Sequence, residues 1–119
     1  MIVVRINMLV LPEKQKEVVQ TLLSLIAPME REAGCLGYTL LCDVNDANRL
    51  CMIEEWESRK QLDHHLQSDM FGILLGTRSL LRRSHGIQIY TVQKAEGMNA
   101  VLASRGKRRD EGARKEVAS

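Results

Sequence analysis

The chain has 119 residues, 45% hydrophobic and 27% charged, with a formal charge of +2; that is one domain's worth of a core-forming protein. Residues 1–94 carry eleven Lys/Arg and eleven Asp/Glu, whereas residues 95–119 carry six and four, so the whole net charge lies at the C-terminal end. Charge therefore excludes polyanion binding by the folded part.

Ile2 to Val10 reads as a strand, with Ile2, Val4, Ile6, Met8 and Val10 on one face and Val3, Arg5, Asn7 and Leu9 on the other. Both faces are mostly apolar, which predicts a strand covered on both sides. Arg5 and Asn7 are then polar exceptions, and a buried polar group must be paired or face a cavity. Either makes a structural hydrogen bond or reaches solvent, or else lines a site.

Pro12 and Glu13 open a helix in which Val18, Leu22, Leu25, Ile26, Met29 and Ala33 recur at helical spacing. Pro28 is expected to kink it or end its regular part a turn early. Gly34 fits a C′ position. Cys35 to Cys42 and Arg49 to Trp56 read as strands joined by the Asn/Asp-rich turn Asp43–Asn48, a hairpin. Leu36, Tyr38, Leu40 and Cys42 share one face of the first, and Leu50, Met52 and Trp56 one face of the second.

Ser58 with Gln61 three residues on forms a capping box, which starts a helix at Ser58 and runs to Gln67. Leu62, His65 and Leu66 share its inner face, and His64 falls towards solvent. Trp56, the only tryptophan, is left at a strand end facing the first turn of this helix. There it either plugs the core or lines a cleft. Ser68 or Asp69 caps a further helical stretch holding Phe71, Leu74 and Leu80, and Gly86 to Gln93 is the last strand. From Ala95 the pattern fails, giving a domain over 1–94 and a charged tail over 95–119, flexible or loosely helical. The run Arg105–Arg109 lacks the interleaved aromatics of a nucleic-acid site, so no nucleic acid is expected as a partner.

The order β-α-β-β-α-β is the ferredoxin-like, α+β arrangement with an antiparallel sheet. Its helix-free sheet face would be apolar, which predicts a homodimer with the two sheets face to face. Cys35, Cys42 and Cys51 are odd in number, lack C-x-x-C spacing and sit in apolar runs, so packed, reduced thiols are expected. The N-terminal apolar run is too short for a signal peptide or membrane span; the expectation is a cytoplasmic protein with no membrane partner.

Three stretches carry a family resemblance: Gly34-Cys35-Leu36-Gly37-Tyr38, Ile53-Glu54-Glu55-Trp56-Glu57-Ser58, and Leu62-Asp63-His64-His65-Leu66-Gln67-Ser68. In this order they resemble the antibiotic biosynthesis monooxygenase (ABM) domain, most closely its quinol monooxygenase branch, over about residues 1–94. The resemblance implies a dimeric α+β barrel with a cleft between helices and sheet in each subunit. It further implies oxidation of a small aromatic phenol or quinol by molecular oxygen, without metal, flavin or haem. The absence of G-x-G-x-x-G, H-E-x-x-H and zinc-spaced cysteines is consistent with having no such cofactor.

Such chemistry needs the substrate as an anion, hence a general base near neutral pKa, for which His65 is the candidate. Asn7 and the Trp56 indole N–H are candidate donors to a phenolate or peroxide. Tyr38 and Phe71 are candidate aromatic walls, with Arg5 also placed at the substrate. The alternatives are a non-catalytic dimeric module binding a small ligand, and a haem-binding or haem-degrading relative with His65 on iron.

Overall fold

Strand β1 (Ile2–Leu9) sets the frame of the fold, because its two faces have opposite fates. Ile2, Val4, Ile6 and Met8 are buried, whereas Arg5 and Asn7 are exposed and Val3 and Leu9 half-buried. The computed structural model describes residues 1–106. In it β1 lies between β3 (Arg49–Trp56) and β4 (Gly86–Thr91), and β2 (Cys35–Cys42) pairs with the far side of β3. All pairings are antiparallel, and the order β2-β3-β1-β4 is that of the ferredoxin-like fold. Helices α1 (Gln15–Glu30), α2 (Arg59–Leu66) and α3 (Asp69–Gly76) share one face of the sheet. Within the single subunit the helices cover one face of β1, and the other face is left to the open side of the sheet.

Helix α1 ends at Glu30, two residues beyond Pro28 and about one turn short of Ala33, so its regular part stops early as expected. Proline in a helix interior costs about 3 kcal/mol, but Leu25 and Met29 either side of it are buried, and each such side chain stabilises by about 1.5–3 kcal/mol. Packing on the sheet therefore outweighs the lost hydrogen bond. In β2 a register shift between Cys35 and Gly37 turns Leu36 outward, 53% exposed, away from Tyr38. Of the three thiols, all free, only Cys35 and Cys51 are half-buried; Cys42 is exposed at the hairpin end of β2. β4 is an edge strand with every residue exposed, and it stops at Thr91.

Residues 98–106 are helical, and the basic run expected as a solvated tail lies outside the described residues from position 107 onward. No helix among the described residues is long and apolar enough to cross a membrane.

Gly34 joins the end of α1 to β2 with φ of 84°, and its carbonyl accepts from the Glu57 amide at 2.9 Å. A Cβ there would lie 2.8 Å from Cβ of Gln61. Gly34→Ala should therefore destabilise the fold by about 1–3 kcal/mol, since alanine at positive φ is strained and α2 would have to move. The midpoint of urea unfolding reads this directly.

Candidate active site

The inward face of β3 reads Leu50, Met52, Glu54, Trp56, all nearly or fully inaccessible. Glu54 is thus a carboxylate in the middle of an apolar run, and its burial demands donors. It has them: the Tyr38 hydroxyl donates to Oε2 at 2.7 Å, and the Trp56 indole Nε1–H donates to Oε1 at 3.0 Å.

The capping residue Ser58 fixes the start of α2, accepting from the Gln61 amide at 3.3 Å. From that start, helical spacing turns Leu62 and His65 onto the sheet, where both are fully buried. Nδ1 of His65 pairs with Oε2 of Glu32, from the turn after α1. Its Nε2 lies 3.4 Å from Oε1 of Glu54 and has no well-directed hydrogen bond. The indole of Trp56 stacks on the imidazole at 4.5 Å with 29° between planes. Phe71 and Tyr38 approach edge-on, at 5.3 Å and 6.0 Å. Glu32 is the most open member of the cluster, its side chain 20% exposed.

Burial alone would push His65 towards the neutral form. The close Glu54 carboxylate, followed by Glu32, outweighs it, so its pKa stands above the ordinary histidine value. Burial, reinforced by Glu54, holds the Tyr38 phenol far above its usual range, so Tyr38 stays a donor. The cluster is an imidazole set between two carboxylates, with an indole over one ring face.

The structure thus brings together four of the six residues named from sequence: His65, Trp56, Tyr38 and Phe71. It does not bring Asn7 and Arg5 to them. β-strand alternation puts both on the helix-free face, across the sheet from His65, because Ile6 and Met8 take the inward positions. There they line a concavity of about 680 Å³ with Leu41, Arg49, Cys51 and Arg83. A site combining Asn7 with His65 of the same subunit is therefore not formed. His64 is exposed. The third histidine, His85, hydrogen-bonds Thr77 Oγ1 at 2.9 Å, and burial lowers its pKa.

Sequence reasoning missed Glu54 and Glu32. The signal for Glu54 was present: it continues the period-two set of Leu50, Met52 and Trp56. Nothing local marks Glu32, which reaches His65 from 33 residues away.

With this geometry in hand, the comparisons with known proteins fall into place. A 32% identical structure of a conserved protein from Methanosarcina mazei Go1 superposes with a TM-score of 0.73, covering 77% of this chain and 92% of that one. The crystal structure of an antibiotic biosynthesis monooxygenase, 24% identical, covers 79% of this chain and 100% of its own at a TM-score of 0.73, a likeness of fold. An uncharacterized protein of Synechocystis sp. is 30% identical over 96 residues, 80% of this chain, and the chain spans 65% of that protein's length. The family model for antibiotic biosynthesis monooxygenase matches residues 1–72. The chain belongs to the antibiotic biosynthesis monooxygenase (ABM) family.

Proposed function

We propose that this ABM-family protein is a monooxygenase that oxidises a small aromatic phenol or quinol with molecular oxygen, at the His65 cluster. The observation that carries the reading is a fully buried histidine, flanked by two carboxylates and walled by Trp56, Tyr38 and Phe71. His65 is the general base that takes the proton of a bound phenol as it becomes the anion. Glu54 and Glu32 favour the protonated ring that results, since both raise its pKa. Glu32, the solvent-facing carboxylate paired with it, takes the departing proton outward.

The reaction balances without an external reductant. The phenolate gives one electron to dioxygen; the resulting radicals join at a ring carbon to form a peroxide. The peroxide loses water, so one oxygen atom stays on the ring as a quinone carbonyl, and the ring hydrogen and the phenolic proton leave with the other. The family's likeness also supports a general small-ligand role, which is what would remain if no oxidation occurred. His65 does not fit the role of a haem-iron ligand here: Nδ1 is taken by Glu32, and Nε2 faces Glu54.

Oxygen uptake by the purified protein with a panel of quinols and polycyclic phenols tests the reading. Uptake should exceed the spontaneous rate. In His65→Gln it should fall at least about a hundredfold, the scale of losing a general base. Uptake no faster than the spontaneous rate with every compound would leave only ligand binding.

A second copy of the chain covers the open sheet face in this reading. Leu41 and Tyr90 there are 47% and 44% exposed, beside half-buried Val3, Cys51 and Ile53, a patch of the kind that associates. Sedimentation at micromolar concentration should give twice the chain mass, and Ile53→Asp should give the monomer. A monomeric native protein would contradict this.

A further inference from the structure

We propose that Glu54 is the positioning residue of the cluster: one buried carboxylate fixes the Trp56 ring, the Tyr38 hydroxyl and the Nε2 side of His65 together. The inference rests on the reading of this cluster as the reaction site, and goes beyond it by assigning a role to a residue that touches only the other members.

The geometry is specific. Oε2 is occupied by Tyr38. Oε1 takes the Trp56 Nε1–H and lies 3.4 Å from Nε2 of His65, so a single oxygen serves both rings of the stacked pair. Trp56 and His65 come from a strand and a helix that are separately mobile in principle. Glu54 is the group that both face, and it locks their planes 29° apart. It is also wholly inaccessible to solvent. A carboxylate in that place is costly, and a leucine in a β-strand among Leu50, Met52 and Trp56 would pack without the cost. What leucine cannot do is accept from both Tyr38 and Trp56 and set a negative charge beside the imidazole.

The groups facing His65 come from each packed element. From β3 it is Glu54; from the turn after α1, Glu32; from β2, Tyr38, with the Cys35 thiol beside Glu54; α3 presents uncharged Phe71. Tyr38 stays protonated, and burial pushes the Cys35 thiol up, so it too stays neutral. Among the described residues, Glu54 and Glu32 are therefore the groups that raise the His65 pKa against burial.

The test is an NMR titration of the His65 ring in the substrate-free protein, read with the Trp56 indole N–H resonance. In the wild type the His65 midpoint should lie above that of a free histidine. Glu54→Gln keeps the shape and removes the charge. It should move the midpoint to lower pH and shift the indole N–H upfield. Tyr38→Phe removes a hydrogen bond but leaves the Glu54 charge, and should keep the midpoint high. Glu55→Gln, one residue along β3 and on the opposite face, should change neither signal. A Glu54→Gln protein that loses stability with an unmoved His65 midpoint would reduce Glu54 to a structural residue and overturn the proposal. So would a wild-type midpoint at or below the ordinary value, which needs no variant and so covers a Glu54→Gln chain that fails to fold. Because no substrate is present, the result stands apart from oxygen uptake: either reading can fail without the other.

Discussion

Trp56→Ala should lower the unfolding free energy by about 3–5 kcal/mol, the range for emptying the site of a large buried aromatic. The indole is fully inaccessible, at the end of the inward row of β3, and lies against His65. Its removal leaves a cavity beneath the start of α2 and takes one donor from Oε1 of Glu54. Trp56→Phe isolates the second effect. It fills most of the volume but leaves Glu54 short of a donor, and should cost about 1–3 kcal/mol, the penalty for an unsatisfied buried group. Urea unfolding of the three proteins separates the contributions. A Trp56→Ala loss under about 1 kcal/mol would mean that the indole is not the packed element described here.

The pH dependence of stability is the second large effect, and its sign follows from His65. Its pKa in the folded protein is raised above the ordinary value by Glu54 and Glu32 against the opposing effect of burial. The folded state therefore holds this proton more tightly than the unfolded chain. The stabilisation is complete below the unfolded value of about 6.5. It is lost as pH rises from there through the folded-state value. Between those two points wild-type stability should fall with increasing pH, and His65→Gln should show a flatter curve over the same window. Each unit of separation between the two values is worth about 1.4 kcal/mol. A wild-type curve that rises with pH through this window would show that burial, not the carboxylates, dominates at His65.

Much of this architecture is legible in the sequence because it is written in local periods and caps. The β-α-β-β-α-β order, the Ser58 cap and the inward turn of His65 each depend on residues within a few positions of one another. The cluster of His65, Trp56, Tyr38 and Phe71 follows from those periods once the elements are laid on one sheet. What was not legible depends on which face of β1 is covered. The row Val3, Arg5, Asn7 and Leu9 is half apolar, enough to suggest a covered face, and the helices pack on the wholly apolar row that holds Ile6 and Met8. That single choice separates Asn7 and Arg5 from the histidine. Glu32 was beyond reach: its role exists only because the chain turns after α1 and brings it back to α2.

The central claim, that dioxygen is split between substrate and water at this cluster, is tested most directly with isotopically labelled dioxygen. The phenol or quinol that gives the fastest uptake is turned over under the labelled gas, and the product is weighed by mass spectrometry. One labelled atom in each molecule of quinone product, with the second recovered in water and the yield largely lost in His65→Gln, is the predicted result. A product without label, or the same labelled yield from His65→Gln, would contradict the account.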